Sequence, residues 1–295
     1  MSDPVLRAAI ALYDRFTHEG MDRRAFMAEL TRIAGGSAAA AMLLSSVACR
    51  AAAAQVPPDA PGIQGQEVEW EVAPGRALRG YQAMPEGAAQ AANPVPAVVV
   101  IHENRGLNDH IRDVARRLAV AGYQAVAPDF LSGAGGTPAD EDRAREMIGQ
   151  LDMARTIADG TETVRRLGVL QERQRKVGIV GFCWGGAMVH RVALAAGDSL
   201  AAAVSFYGPA PDPAEASRLV APELVILAGR DTRVNATAGP WVAALRAAGK
   251  DVTEITYPDV DHAFHNDTSA ARYNRAAAEQ AWAATLDFFR RHLGA

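Results

Sequence analysis

Apolar residues are spaced in two alternating ways between residues 67 and 293. Short runs of Val, Ile and Ala predict buried strands, and longer segments with apolar residues every three or four positions predict helices. The predicted strands cover 67–72 and 78–84, which form an antiparallel pair, and 97–102, 124–127, 177–182, 201–206, 223–227 and 252–257. The predicted helices cover 109–121, 140–150, 153–167, 185–194, 237–248 and 270–293. This alternation predicts an α/β fold with a doubly wound, mostly parallel sheet, helices on both faces and functional residues at the carboxyl ends of the strands.

The first 54 residues follow a different pattern. The pair Arg23-Arg24 lies ahead of an apolar stretch at 33–47 and a run of small residues at 51–54, and this order resembles a twin-arginine export signal. It predicts cleavage before Gln55 and a periplasmic or otherwise exported protein. Alternatively, an amphipathic segment at 5–16 forms a helix that docks on the domain of a cytoplasmic protein. The apolar stretch is too short, and too interrupted by Gly and Ser, to predict a membrane span.

A Pro- and Gly-rich linker at 57–65 separates this leader, residues 1–54, from one domain at 55–295. A content of 49% hydrophobic residues is enough for one large core, and a formal net charge of −4 gives no electrostatic case for binding nucleic acid. Only Cys49 and Cys183 are present, so neither a disulfide framework nor a zinc-binding thiol cluster is predicted. We expect a monomer or homodimer that acts on a small molecule without a metal or organic cofactor.

The segment around Cys183 carries the clearest chemical pattern. An apolar, β-branched run ends at Phe182, and a helical pattern opens at Gly185-Gly186, so Cys183 lies at a sharp strand-to-helix turn. Gly181-x-Cys183-x-Gly185 is the pattern of a nucleophile elbow with cysteine in the usual place of serine. On this pattern alone, Cys183 is equally well interpreted as a small buried residue beside two helix-packing glycines.

An acid and a base follow this cysteine in the order used by α/β-hydrolases. Asp231 ends one predicted strand, and His262 follows the next, so the pattern predicts a Cys183, Asp231 and His262 triad. Asp259 and Asp261 lie too close to His262 in sequence to reach behind its ring easily. The sequence therefore predicts an α/β-hydrolase with a thiol nucleophile.

The chain resembles the dienelactone hydrolase family over residues 67–293. The resemblance rests on Val100-Ile-His-Glu103 with Asn104-Arg-Gly-Leu107, Ala127-Pro-Asp129, Gly181-Phe-Cys183-Trp-Gly-Gly186, Gly229-Arg-Asp231 and His262-Ala-Phe264. It implies that the backbone N–H groups of Trp184 and Asn104 form an oxyanion hole. It also implies that Glu103 suppresses the resting thiolate and moves when substrate binds. His265 is not the family's base, because the motif histidine precedes Ala-Phe.

The resemblance is incomplete where the substrate binds. The family holds a substrate carboxylate with two arginines; the first matches Arg145, whereas the second position is occupied by His265-Asn266-Asp267. The side chain of Trp184 is expected to line the same pocket. The predicted substrate is therefore a small ester or lactone, with or without a carboxylate. The alternatives are an acyltransferase or thioesterase-like enzyme on the same elbow, or a binding protein of the same fold without catalysis.

Overall fold

A central sheet of eight strands organises the protein. The structure, a computed structural model, describes residues 3–47, 55–91, 94–170 and 173–294. The strands are β1 (Ile63–Ala73), β2 (Arg76–Pro85), β3 (Ala97–Ile101), β4 (Gln124–Asp129), β5 (Val177–Phe182), β6 (Ala202–Phe206), β7 (Glu223–Ala228) and β8 (Val252–Tyr257). Their order is β1-β2-β4-β3-β5-β6-β7-β8, with β2 antiparallel to both β1 and β4 and all other pairs parallel. The predicted doubly wound α/β fold is confirmed.

Helices cover both faces of this sheet. They are α4 (Asp109–Val120), α5 (Glu141–Gly149), α6 (Met153–Leu167), α7 (Trp184–Ala196), α8 (Thr232–Ala247) and α9 (Arg275–Leu293). Alternate residues of β3 point to opposite sides: Val98 and Val100 pack in a core with α4 and α9, and Val99 and Ile101 pack in a core with α6 and α7. Strands β3 to β7 are buried along their whole length, which explains their nearly continuous apolar sequences.

Two predicted helix starts are wrong by five residues. Helix α8 begins at Thr232 rather than 237, because the Asp231 side chain accepts a hydrogen bond from the Val234 N–H and caps the helix. Gly239 and Pro240 lie inside α8 and obscure its pattern. Helix α9 begins at Arg275 rather than 270, because Asn274 caps it and the preceding residues form turns.

Three further helices precede the sheet: α1 (Asp3–His18), α2 (Arg23–Ala34) and α3 (Ser37–Val47). Their apolar faces form one cluster, in which Tyr13, Phe16, Phe26 and Leu30 are buried. We call residues 3–47 the N-terminal cap. No helix in the described residues is long and apolar enough to cross a membrane. Cys49 and the small residues before the predicted cleavage site at Gln55 lie outside the described residues.

Candidate active site

Cys183 occupies a strained turn between β5 and α7. Its backbone dihedrals are φ 56° and ψ −115°, a region that costs a non-glycine residue of order 1–3 kcal/mol. The flanking glycines allow the turn, because a Cβ on Gly181 would lie 2.3 Å from the Gly185 carbonyl oxygen and one on Gly185 would lie 2.4 Å from that of Ile101. The predicted nucleophile elbow therefore has a steric basis in this chain.

The elbow places Cys183 at the amino end of α7. Trp184 is the first residue of this helix, so its N–H has no acceptor within the helix and is available to an oxyanion. The partial positive charge at the helix N-terminus stabilises an anionic sulfur. The turn thus places the sulfur at the positive end of the helix dipole and next to a hydrogen-bond donor.

Asp231 and His262 are brought together from the ends of β7 and β8. His262 Nδ1 lies 2.5 Å from Asp231 Oδ2, and the Cys183 sulfur is close enough to the His262 ring to raise its pKa. The ring of Tyr207 packs edge-on against His262 at a centroid distance of 5.1 Å. Each side chain of the predicted triad is therefore next to its expected neighbour.

The charges of this group reinforce one another. Burial lowers the pKa of His262, but the Cys183 sulfur and the Asp231 carboxylate together outweigh burial and raise it to about 10. Burial raises the pKa of Asp231, but the hydrogen bond and charge of His262 outweigh burial, and the net shift is downward. Both partners therefore favour the protonated imidazole, so His262 is a base strong enough to take the Cys183 proton.

The rival acids and the second histidine have other partners. Arg230 lies 3.6 Å from carboxylate oxygens of both Asp259 and Asp261. His265 stacks on Phe182 at a centroid distance of 5.1 Å, and burial holds its pKa well below the usual value. Neither acid makes the contact that Asp231 makes with His262.

Glu103 faces Cys183 and His262 across a small cavity. Its Oε2 accepts a hydrogen bond of 2.6 Å from Asn266 Nδ2, and its Oε1 is buried without a hydrogen-bond partner among the described residues. An unpartnered carboxylate oxygen beside a sulfur is costly unless the thiol proton or a substrate group satisfies it. The site therefore contains a group that can respond to the state of Cys183.

Asn104 and Arg145, which the resemblance assigned to the site, both contact α1. Asn104 Nδ2 donates to the Thr17 carbonyl at 3.3 Å. Arg145 Nη1 donates to the Phe16 carbonyl at 2.6 Å, and its guanidinium lies 4.1 Å from the centroid of the Phe16 ring. Arg145 thus lines the cleft that contains Cys183, with its guanidinium already in contact with the cap.

A cleft of about 920 Å³ leads from Cys183 to the surface. Trp184 forms part of its lining and stacks on the buried His102 at 5.3 Å, with an interplanar angle of 11°. Burial lowers the pKa of His102, and its Nδ1 lies 2.7 Å from the Glu103 carbonyl oxygen, so its role is to support Trp184. No group of His, Cys, Asp and Glu within the described ranges is arranged to hold a metal ion.

Sequence reasoning missed several residues of this site. Asn266 supports Glu103, Tyr207 packs on His262, Arg233 lines the cleft, and Arg272 lines the small cavity. Arg233 lies two positions after Asp231 on the first turn of α8, and this placement was the only local indication of its role. Tyr207 has a positive φ of 39°, a strained conformation that no sequence pattern announced.

The fold and the elbow define an α/β-hydrolase. The chain belongs to the dienelactone hydrolase family, whose model matches residues 78–293. A protein from Yersinia pestis named "Putative carboxymethylenebutenolidase" is 33% identical over 74% of this chain and 85% of its own length. Another protein of that name, from Methylorubrum extorquens, is 31% identical over 82% of this chain and 86% of its own. The crystal structure titled "Putative Dienelactone Hydrolase" from Klebsiella pneumoniae has a TM-score of 0.69 and 29% identity, covering 78% of this chain and 99% of that one.

Proposed function

We propose that this hydrolase is a cysteine-dependent esterase or lactonase that acts through Cys183, His262 and Asp231. The contact between Asp231 and His262, with Cys183 beside the ring at a strained elbow, is the observation that supports this proposal most directly. A thiolate paired with an imidazolium is a reactive nucleophile at neutral pH. Asp231 orients the imidazole and stabilises its cationic form.

In the proposed reaction, the Cys183 thiolate attacks the carbonyl carbon and the carbonyl π electrons move to oxygen. The backbone N–H groups of Trp184 and Asn104 stabilise this oxyanion, and each such donor is typically worth about 2.7–4 kcal/mol. The tetrahedral intermediate collapses, and the leaving alkoxide takes the proton from His262. Water then attacks the acyl-cysteine while His262 accepts its proton, which releases the acid and restores the thiolate–imidazolium pair.

Glu103 is the proposed switch for this nucleophile. Its anionic charge next to Cys183 disfavours a second free anion, so without substrate it shifts the proton of the thiolate–imidazolium pair towards sulfur. A substrate that displaces Glu103 removes the repulsion when there is a carbonyl to attack. The bond from Asn266 gives the carboxylate a fixed resting position.

An acyltransferase or thioesterase-like enzyme would use the same acyl-cysteine. The two alternatives differ in which acceptor, water or another nucleophile, removes the acyl group. Product analysis in the presence of added alcohols and thiols separates them, because a transferase yields new esters in preference to the free acid. A non-catalytic binding protein would turn over none of these substrates.

The test is a panel of esters and lactones assayed with the wild type, Cys183→Ala, Cys183→Ser and the matched control Cys49→Ala. We expect Cys183→Ala to abolish turnover, Cys183→Ser to keep the fold and lose most activity, and Cys49→Ala to match the wild type. Rapid quenching and mass spectrometry should reveal an acyl adduct on the peptide that contains Cys183. Undiminished turnover by Cys183→Ala would contradict cysteine catalysis.

A further inference from the structure

The end of α1, the start of α2 and the turn between them form one wall of the cleft that contains Cys183. This wall consists of residues that include Phe16, Thr17, Met21 and Arg23, and Trp184 lines the same cleft. Asp14, also on α1, is close enough to His262 and Asp231 for their charges to affect its pKa, although burial has the largest effect and raises it. The N-terminal cap therefore lies over the reacting groups and not on a remote face of the domain.

The cap also engages two arginines beside the site. Arg145 is held by the carbonyl and ring of Phe16. Arg272, which lines the small cavity with Cys183, lies 3.4 Å from Asp14 Oδ1. A third arginine of the cleft, Arg23, forms an ion pair with Asp142. Two of these arginines are thus engaged by α1, through Phe16 and Asp14, and the third is engaged by Asp142 of α5. Arg233, at the start of α8, also lines the cleft.

Apolar groups line part of the cleft, among charged residues that include Asp140, Glu146 and Arg233. Phe16 and Met21 from the cap face Ile148, Trp184, Ala187 and Pro209 from the hydrolase domain. Clefts of about 300–1,000 Å³ enclose ligands of drug size, so about 920 Å³ exceeds what a small lactone fills. The cap changes both the size and the polarity of the space in which the acyl group lies.

We propose that the N-terminal cap is retained in the active enzyme and that Phe16 and Met21 determine specificity for uncharged esters with an extended apolar acyl group. This inference rests on the proposed cysteine hydrolase function. It assigns residues 3–47 a role in substrate selection, in place of the role of a removable export leader. Arg23, the first residue of α2, then contributes to the wall of the cleft, where it pairs with Asp142.

The experiment compares kcat/KM for p-nitrophenyl octanoate and p-nitrophenyl acetate in the full-length enzyme. Met21→Trp places a larger side chain in the cleft, and Met42→Trp makes the same change at an exposed position of α3, where Met42 is 65% exposed. We expect Met21→Trp to lower the octanoate-to-acetate ratio at least about tenfold, because a hydrophobic pocket discriminates sharply on volume. Met42→Trp should keep the wild-type ratio. Met21→Ala should shift the preference toward bulkier acyl groups.

Thermal unfolding of each variant and acyl trapping on Cys183 accompany these assays. Equal ratios in Met21→Trp and wild type, with Cys183 still acylated, would overturn the cap assignment and leave the proposed chemistry intact. Faster hydrolysis of a carboxylate-bearing ester than of octanoate would overturn the uncharged substrate class, and Arg233 would then be the cation to examine. An active mature enzyme whose intact mass begins at Gln55 and keeps the same ratio would overturn retention of the cap.

Discussion

Apolar packing holds together the hydrolase domain and, separately, the N-terminal cap, whereas contacts of polar and charged side chains join the two regions to each other. The sheet packs into two extensive cores, to which strands and helices from across the domain contribute. The cap has its own apolar cluster, and Ala271 is the only residue of that cluster described outside the cap. Between the two regions, the described contacts include hydrogen bonds, ion pairs and cation–π contacts of Arg105, Arg145 and Arg272 with rings of the cap.

This contrast shows how a fold can add a wall to an active site without changing its core. Interfaces between domains are generally more polar than domain interiors, and relative motion is expected where few apolar contacts cross. Polar contacts also specify position: Tyr13 accepts a hydrogen bond of 2.6 Å from Arg105, and Ser269 donates one of 3.1 Å to the Val47 carbonyl. The proposed chemistry and the proposed specificity therefore reside in regions that can be perturbed separately.

The largest effect is expected from a change confined to the hydrolase domain. Asp231→Asn should lower kcat/KM about 10³–10⁴-fold, because an amide holds the imidazole in the wrong tautomer and cannot stabilise its cation. Asp259→Asn is the matched control, since that acid pairs with Arg230 and not with His262. Steady-state kinetics should show the same fold loss of kcat/KM in Asp231→Asn for p-nitrophenyl acetate and for p-nitrophenyl octanoate. Equal losses in the two variants would contradict the assigned triad.

The same variant should change the pH dependence of stability. The folded pKa of His262, about 10, lies above its ordinary value near 6.5, so its stabilising contribution is complete below about pH 6.5 and is lost as pH rises toward 10. Asp231→Asn should remove part of this contribution and move the loss to lower pH. Thermal melts between pH 6 and 10 measure the difference from wild type, and superimposable profiles would indicate that Asp231 does not raise the His262 pKa.

An intermediate effect is expected from a change confined to the cap. Leu30 is fully buried in the cap cluster, and Leu30→Ala should destabilise this cluster by about 2–5 kcal/mol. Hydrogen exchange should accelerate in residues 3–47 while strands β3 to β7 keep their protection. Met42→Ala, at an exposed position of the same region, should leave both unchanged. Uniform acceleration through the sheet would mean that cap and domain unfold as one unit.

The smallest effect is expected from a change at Glu103, the proposed switch for the nucleophile. Glu103→Gln should increase the rate of iodoacetamide labelling of Cys183 by about tenfold at neutral pH, as loss of roughly 1.4 kcal/mol of repulsion would produce. Glu146→Gln provides a matched control, because this acid lines the cleft but lies 3.3 Å from Arg143. Labelling rates measured from pH 5 to 9 test the effect. If the pH profile of labelling for Glu103→Gln overlays that of the wild type, Glu103 has only a structural role.

The sequence predicted the parts of this molecule that depend on local pattern. Buried strands, the glycine-flanked turn at Cys183 and the order of Asp231 and His262 all follow from short segments. The cap contacts do not, because Phe16 and Arg145 are far apart in the chain and each is locally an ordinary helical residue. In the sequence, Asn266 stands out only as part of the segment that replaces the family's second arginine. Its bond to Glu103 could not be predicted, because it depends on how two distant loops meet. The sequence therefore did not predict that the cap forms a wall of the cleft, because this depends on tertiary contacts.

The chain order of the cap has a consequence for how the protein folds during synthesis. Residues 3–47 leave the ribosome before the hydrolase domain and can form their own apolar cluster early, because most of its members are close in sequence. Their contacts with Ser269 and Arg272 cannot form until those residues, more than 200 positions later in the chain, have emerged. Domains generally fold as units during synthesis, the amino-terminal ones first. The final docking of these helices on the domain, and with it the proposed acyl pocket, therefore depends on segments that emerge much later than the cap itself.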